Sequence, residues 1–124
     1  MVNSGRTLAS AGILLALAMV LGAFGAHGLK AHLTPDQLHV YETAVMYHFF
    51  NALGLLCIGL TRRFVGKPAV PWAAVLVLVG IVAFSGSLYA LTFGAPHSFG
   101  IVTPLGGLAI IVGWISFAAG VWRS

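Results

Sequence analysis

Five histidines and two carboxylates are the side chains of this 124-residue sequence best suited to acid–base or metal chemistry. Four of the imidazoles, His27, His32, His39 and His97, together with Asp36 and Glu42, fall at the ends of apolar runs or in the stretches between them. Such a gathering could hold a divalent ion, and an open coordination position would then let it act on a substrate. The spacing argues otherwise, because no His-x-x-x-His or His-Glu-x-x-His sets two ligands on one helix face. No metal and no cofactor is expected. His27, His39, Glu42 and His97 are read as an interfacial cluster, in which His39 and Glu42, three residues apart, can pair.

The more demanding polar residues lie inside apolar runs. His48 and Asn51 are three apart, about 60° from each other around a helix, and so share a face. Ser85 and Ser87 sit at comparable depth in the next run. In lipid each must find a partner, so a hydrogen-bonded layer is expected to join the second and third segments, with Tyr47 and Tyr89 reaching it. As structural glue, such contacts are worth about 0.6 kcal/mol each. A ligand or proton pathway is the competing reading, but transporters place a carboxylate or a broken helix near the midplane, and the third and fourth segments show neither. No Ser-His-Asp order, phosphate loop or dinucleotide fingerprint supports an enzyme.

The elements that must position these side chains follow from composition. Of the residues, 60% are hydrophobic, with only six Lys or Arg and two Asp or Glu. That is too little polar surface to cover a globule in water. A bilayer core about 30 Å thick takes about 20 apolar residues per helical crossing. Four apolar runs, with Glu42 the single Asp, Glu, Lys or Arg among them, meet that length, at 7–28, 41–60, 72–93 and 101–122, and the chain is read as a single all-α, four-helix transmembrane domain. Continuous apolar runs exclude the alternating strands of an outer-membrane barrel. Glu42 is placed in the first turn of the second segment, at an edge. Thr103-Pro104 is read as the capped start of the fourth.

Arg6, Arg62, Arg63, Lys67 and Arg123 share one side of this pattern and Lys30 alone lies on the other, so both termini are expected in the cytoplasm. The net charge of +4 follows from that asymmetry, and no basic stripe suggests nucleic acid. The first run is longer than a signal-peptide core and is kept as a span. Cys57, the single cysteine, is read as packing within the second segment. Trp114 is read as packing near mid-membrane, with Trp72 and Trp122 in an aromatic belt.

Helix association in lipid depends on close backbone approach. Small residues recur at spacings of three, four and seven: Ala11, Ala18, Gly22 and Gly25 in the first segment; Ala73, Gly80, Ala83, Ser87 and Ala90 in the third; Gly106, Ala109, Gly113, Ser116 and Gly120 in the fourth. These seams predict a compact bundle with left-handed crossings near +20°. The stretches Phe24–Leu29 and Phe84–Tyr89 are faintly similar and would fit a two-plus-two helix duplication.

Four stretches carry a wider resemblance: GAFGAHGL (22–29), ETAVMYHFFNALGLL (42–56), FSGSLYAL (84–91) and TPLGGLAIIVGW (103–114). In these the chain resembles the YgdD-like family of small four-helix bacterial inner-membrane proteins of unknown function, which has small eukaryotic transmembrane relatives. The family's second-helix motif reads Tyr-Gln-x-x-His, whereas here Tyr47 is followed by His48 and then Asn51. The resemblance implies a topology and an inner-membrane location, and no activity. The expected role is a non-enzymatic structural or accessory component, working in the lipid bilayer as a homo-oligomer or as a subunit of a larger complex. The alternative is a small transporter or ligand-binding protein built on the polar layer.

Overall fold

The computed structural model describes residues 3–65 and 69–123. Lys67, placed by the sequence on the same side as Arg62 and Arg63, lies outside them. Four helices long and apolar enough to cross a membrane run in order: α1 (Ser4–Phe24), α2 (Pro35–Val65), α3 (Ala69–Thr92) and α4 (Val102–Trp122). A π-helical turn, Gly25–Leu29, extends α1, and a 3-10 turn, His97–Ile101, leads into α4.

Local chemistry sets these boundaries. Asn3 caps α1 by accepting the Arg6 N–H at 2.8 Å. The start of α2 is a reciprocal capping box: Thr34 Oγ1 accepts from the Gln37 N–H at 3.2 Å and Gln37 Oε1 accepts from the Thr34 N–H at 2.9 Å. Pro35 then occupies the first helical position, where a missing N–H costs nothing. This box begins α2 six residues before the expected Tyr41, and the helix runs five residues past Leu60 to Val65. Glu42 is therefore two turns into α2, and Asp36 holds the first turn. At its far end α3 closes in a Schellman arrangement, with the Ala95 N–H on the Ala90 carbonyl at 3.0 Å and Gly94 at φ +94°. Thr103 does not cap α4, whose N-cap, Ile101, makes no side-chain hydrogen bond. The similarity between Phe24–Leu29 and Phe84–Tyr89 stops at the sequence, since the first is largely π-helical and the second lies within α3.

Backbones pack closely between sequence neighbours, α1 with α2, α2 with α3 and α3 with α4, while α1 and α4 are not a closely packed pair. The core of Ala11, Leu55, Ile58, Ala73, Ala74, Val77 and Ile81 therefore belongs to α1, α2 and α3, with Trp114 and Phe117 of α4 against it. Glycine makes the α3–α4 seam possible. A Cβ at Gly106 would collide with the Phe84 amide nitrogen, and one at Gly80 with Ile110. Gly113 and Gly120 are buried on the same stripe. Between α1 and α2, Gly25 lies under the Tyr41 ring and Gly22 faces Val45. Cys57 is exposed on the outside of α2, not packed within it. Trp72 and Trp122 are exposed at the end of the molecule that carries Arg6, Arg62, Arg63 and Arg123.

Candidate functional site

The polar residues of the interior are organised by α2. His48 lies two residues from the midpoint of that helix, deeper than the sequence placed it, and is only 2% exposed. Its Nδ1 is 2.8 Å from the Tyr89 hydroxyl of α3. One helical turn closer to the start of α2, the Ala44 carbonyl accepts the Ser85 hydroxyl at 2.8 Å. Two polar contacts thus join α2 to α3. His48 Nε2 is buried without a hydrogen-bond partner among the described residues.

Tyr41 ties α2 to α1. Its hydroxyl donates to the Leu21 carbonyl, four residues before the π-helical turn. Its ring lies over Gly25, stacks tilted on Tyr89 at 5.6 Å between centroids, and meets Phe93 edge-on at 6.1 Å. The glycine in the π-turn and the buried tyrosine are thus parts of one contact.

The expected layer is rearranged in three places. Asn51 does not join the serines: its Oδ1 accepts the Trp114 indole N–H of α4 at 3.0 Å, and its Nδ2 donates to the Tyr47 carbonyl of its own helix at 2.9 Å. Ser87 turns to α4 as well, sharing a hydrogen bond with Thr103 Oγ1 and donating to the Phe84 carbonyl at 2.9 Å. Tyr47 is half-exposed, and its ring sits edge-on to Phe84 instead of entering the layer. Adjacent faces of α2 therefore address α3 and α4 separately.

At the other end of the molecule from the arginines, the sequence cluster is dispersed. His27 is exposed on the π-turn, His39 and Glu42 are exposed on α2, and His97 is exposed at the start of the 3-10 turn. No ion pair joins His39 to Glu42; the His39 carbonyl accepts the Thr43 hydroxyl at 2.9 Å. Among the described residues no three His, Cys, Asp or Glu side chains converge as a metal site. Asp36 and His97 border a cavity of about 360 Å³ floored by Val40, Leu88 and Leu91, whereas Glu42 borders another, of about 250 Å³, between α1 and α2.

Sequence reasoning missed Tyr41, Thr103 and Trp114 as polar partners. The signal for each was a hydrogen-bonding group within a span, which in lipid must pair with something. Gly54 was also missed, and the Trp114 ring occupies the space its Cβ would fill.

Comparison with known proteins gives the chain its relatives. A family model described as "Protein of unknown function (DUF423)" matches residues 21–107. The chain is similar to the UPF0382 membrane protein YwdK of Bacillus subtilis, 46% identical over 100 residues, covering 80% of this chain and 81% of the relative. It is 41% identical over 107 residues to the UPF0382 membrane protein SSP2132 of Staphylococcus saprophyticus, covering 86% and 88%. With a UPF0382 membrane protein of Haemophilus influenzae it is 37% identical over 110 residues, covering 86% and 85%. No solved structure matches the chain.

Proposed function

The chain belongs to the DUF423 family of UPF0382 membrane proteins, and from that premise we propose that it is a non-enzymatic structural or accessory component of the bacterial cytoplasmic membrane. It works by contact with neighbours in the bilayer, as a homo-oligomer or as a subunit of a larger complex. The supporting observation is how its interior polar groups are engaged. Tyr41, His48, Asn51, Ser85 and Ser87 all hydrogen-bond to another helix and draw the bundle together. A passage through the membrane would instead leave such groups facing water. Both termini are assigned to the cytoplasm, because Arg6, Arg62, Arg63 and Arg123 share one end.

The test is co-expression of two differently tagged full-length chains, cross-linked in intact membranes. A defined cross-linked species, containing the second tag or a stoichiometric larger subunit, is expected. Recovery of monomer alone at every cross-linker length would overturn the reading.

One observation favours a second reading, a small transporter or ligand-binding protein. The unpartnered His48 Nε2 is a group that an incoming ligand or proton could use. Replacing His48 and Asn51 with Leu would then abolish uptake or binding without unfolding the protein, and unchanged uptake would remove this alternative.

A further inference from the structure

Between α1 and α2, two cavities of about 250 and 370 Å³ share Gly22, Val45 and Met46 and form one lateral groove. It starts at Glu42, beside Gly25 and Ala26 of the π-turn, and ends at Phe49 and Phe50, opposite Ala18 and Met19. The groove exists because α1 presents small residues where α2 presents large ones. From Glu42 to Phe50 is about 12 Å along the helix. One leaflet contributes about 15 Å of hydrocarbon, half of the bilayer core. Further along, the seam is closed, since Leu8 and Thr7 pack directly on Gly59. The opening thus spans one leaflet and stops, which suits an acyl chain and not a membrane-crossing partner helix.

Its polar end is equally specific. Glu42 is exposed and forms no ion pair among the described residues, so its carboxylate stands at the boundary of the apolar zone without a cation. After Ala26 on the groove wall the chain continues into His27 and, three residues later, Lys30, both exposed. A carboxylate lining the groove, with an imidazole and an ammonium following in the chain just past its wall, complements a headgroup that carries an amine next to a phosphodiester. We propose that this groove binds one phospholipid with a primary-amine headgroup, its acyl chain along Gly22 and Val45 and its ammonium donating to Glu42. A quaternary choline headgroup has no N–H to donate there. The inference is independent of whether the protein has a protein neighbour.

The experiment uses the full-length protein, reconstituted in vesicles of equimolar phosphatidylethanolamine and phosphatidylcholine, re-extracted in mild detergent and weighed by native mass spectrometry. Retention of phosphatidylethanolamine over phosphatidylcholine by about tenfold is expected, the factor of one charge-assisted hydrogen bond. Glu42→Gln, at an exposed position, should bring that ratio to about one. Ala23→Trp, on the exposed groove wall, should lower retention of both lipids. Equal retention by the unsubstituted protein, a preference unchanged in Glu42→Gln, or a lipid-free dimer mass blocked by Ala23→Trp would each overturn the proposal.

Discussion

Trp114 donates its indole N–H to Asn51 Oδ1 at 3.0 Å, and the same ring occupies the space above Gly54, one turn further along α2. The hydrogen bond fixes the azimuth of α4 against α2, and the missing side chain at Gly54 lets the ring come close enough to make it. Trp114→Phe should therefore destabilise the protein by about 1–2 kcal/mol, leaving Asn51 Oδ1 without its partner. Gly54→Ala should cost at least as much by displacing the ring. Unfolding by SDS titration in mixed micelles, followed by tryptophan fluorescence for Gly54→Ala and by helicity for both, measures each. If both variants unfolded with the parent, the contact would carry no stability.

The His48–Tyr89 pair calls for a double-mutant cycle. Tyr89→Phe takes away the one hydrogen bond of a buried imidazole and should cost about 1–3 kcal/mol. His48→Leu combined with Tyr89→Phe removes both partners and should be less damaging than the sum of the single changes. A coupling of about 0.6 to 1.7 kcal/mol is expected. Strict additivity would show that the two groups do not interact.

Glycine substitutions should separate along α3 and α4 according to what a Cβ would meet. Gly106→Ala drives a methyl into the backbone at Ala83 and Phe84, which no rotamer change relieves, and should cost about 3 kcal/mol or more. Gly86→Ala meets nothing within 4 Å and should be neutral or stabilising by about 0.5–1 kcal/mol. Helicity retained against SDS is the readout, and equal effects at the two sites would contradict the close α3–α4 approach.

Orientation is testable with reporters. A fluorescent protein fused after Arg123 should fluoresce, and alkaline phosphatase fused at the same point should be inactive, because the arginine-bearing end is assigned to the cytoplasm. The reverse pair of results would invert the topology.

How far the sequence alone reaches is set by which interactions are local. The four spans are legible because lipid requires long apolar runs whatever their neighbours are. The start of α2 was misplaced because Thr34 to Val40 is too polar to register as a span, although Thr34-x-x-Gln37 with Pro35 is a local capping signal that could have been read. The interior polar residues were recognisable as needing partners, but their pairing was not. Asn51 and His48 share a face in the coarse sense, yet His48 meets α3 while Asn51 meets α4, a choice set by where the helices cross. Thr103 fits the local pattern of a cap, but the 3-10 turn leads straight into α4 at Val102, which puts Thr103 inside the helix with its hydroxyl bonded to Ser87. The π-turn at Gly25–Leu29 starts at the glycine against which the Tyr41 ring packs, and that contact, sixteen residues away in the chain, is not a local signal.

The central claim, that the interior polar groups fasten the helices and do not line a passage, is tested most directly by water access to Ser85. Full-length Ser85→Cys protein in a Cys57→Ser background, in intact membranes, is exposed to a membrane-impermeant maleimide from either side, with Pro96→Cys as the exposed control. No labelling at position 85 until the protein is unfolded in SDS, with prompt labelling at position 96, is the expected result. Labelling of position 85 in intact membranes at a rate near that of position 96 would contradict it and mark a water-filled path between α2 and α3.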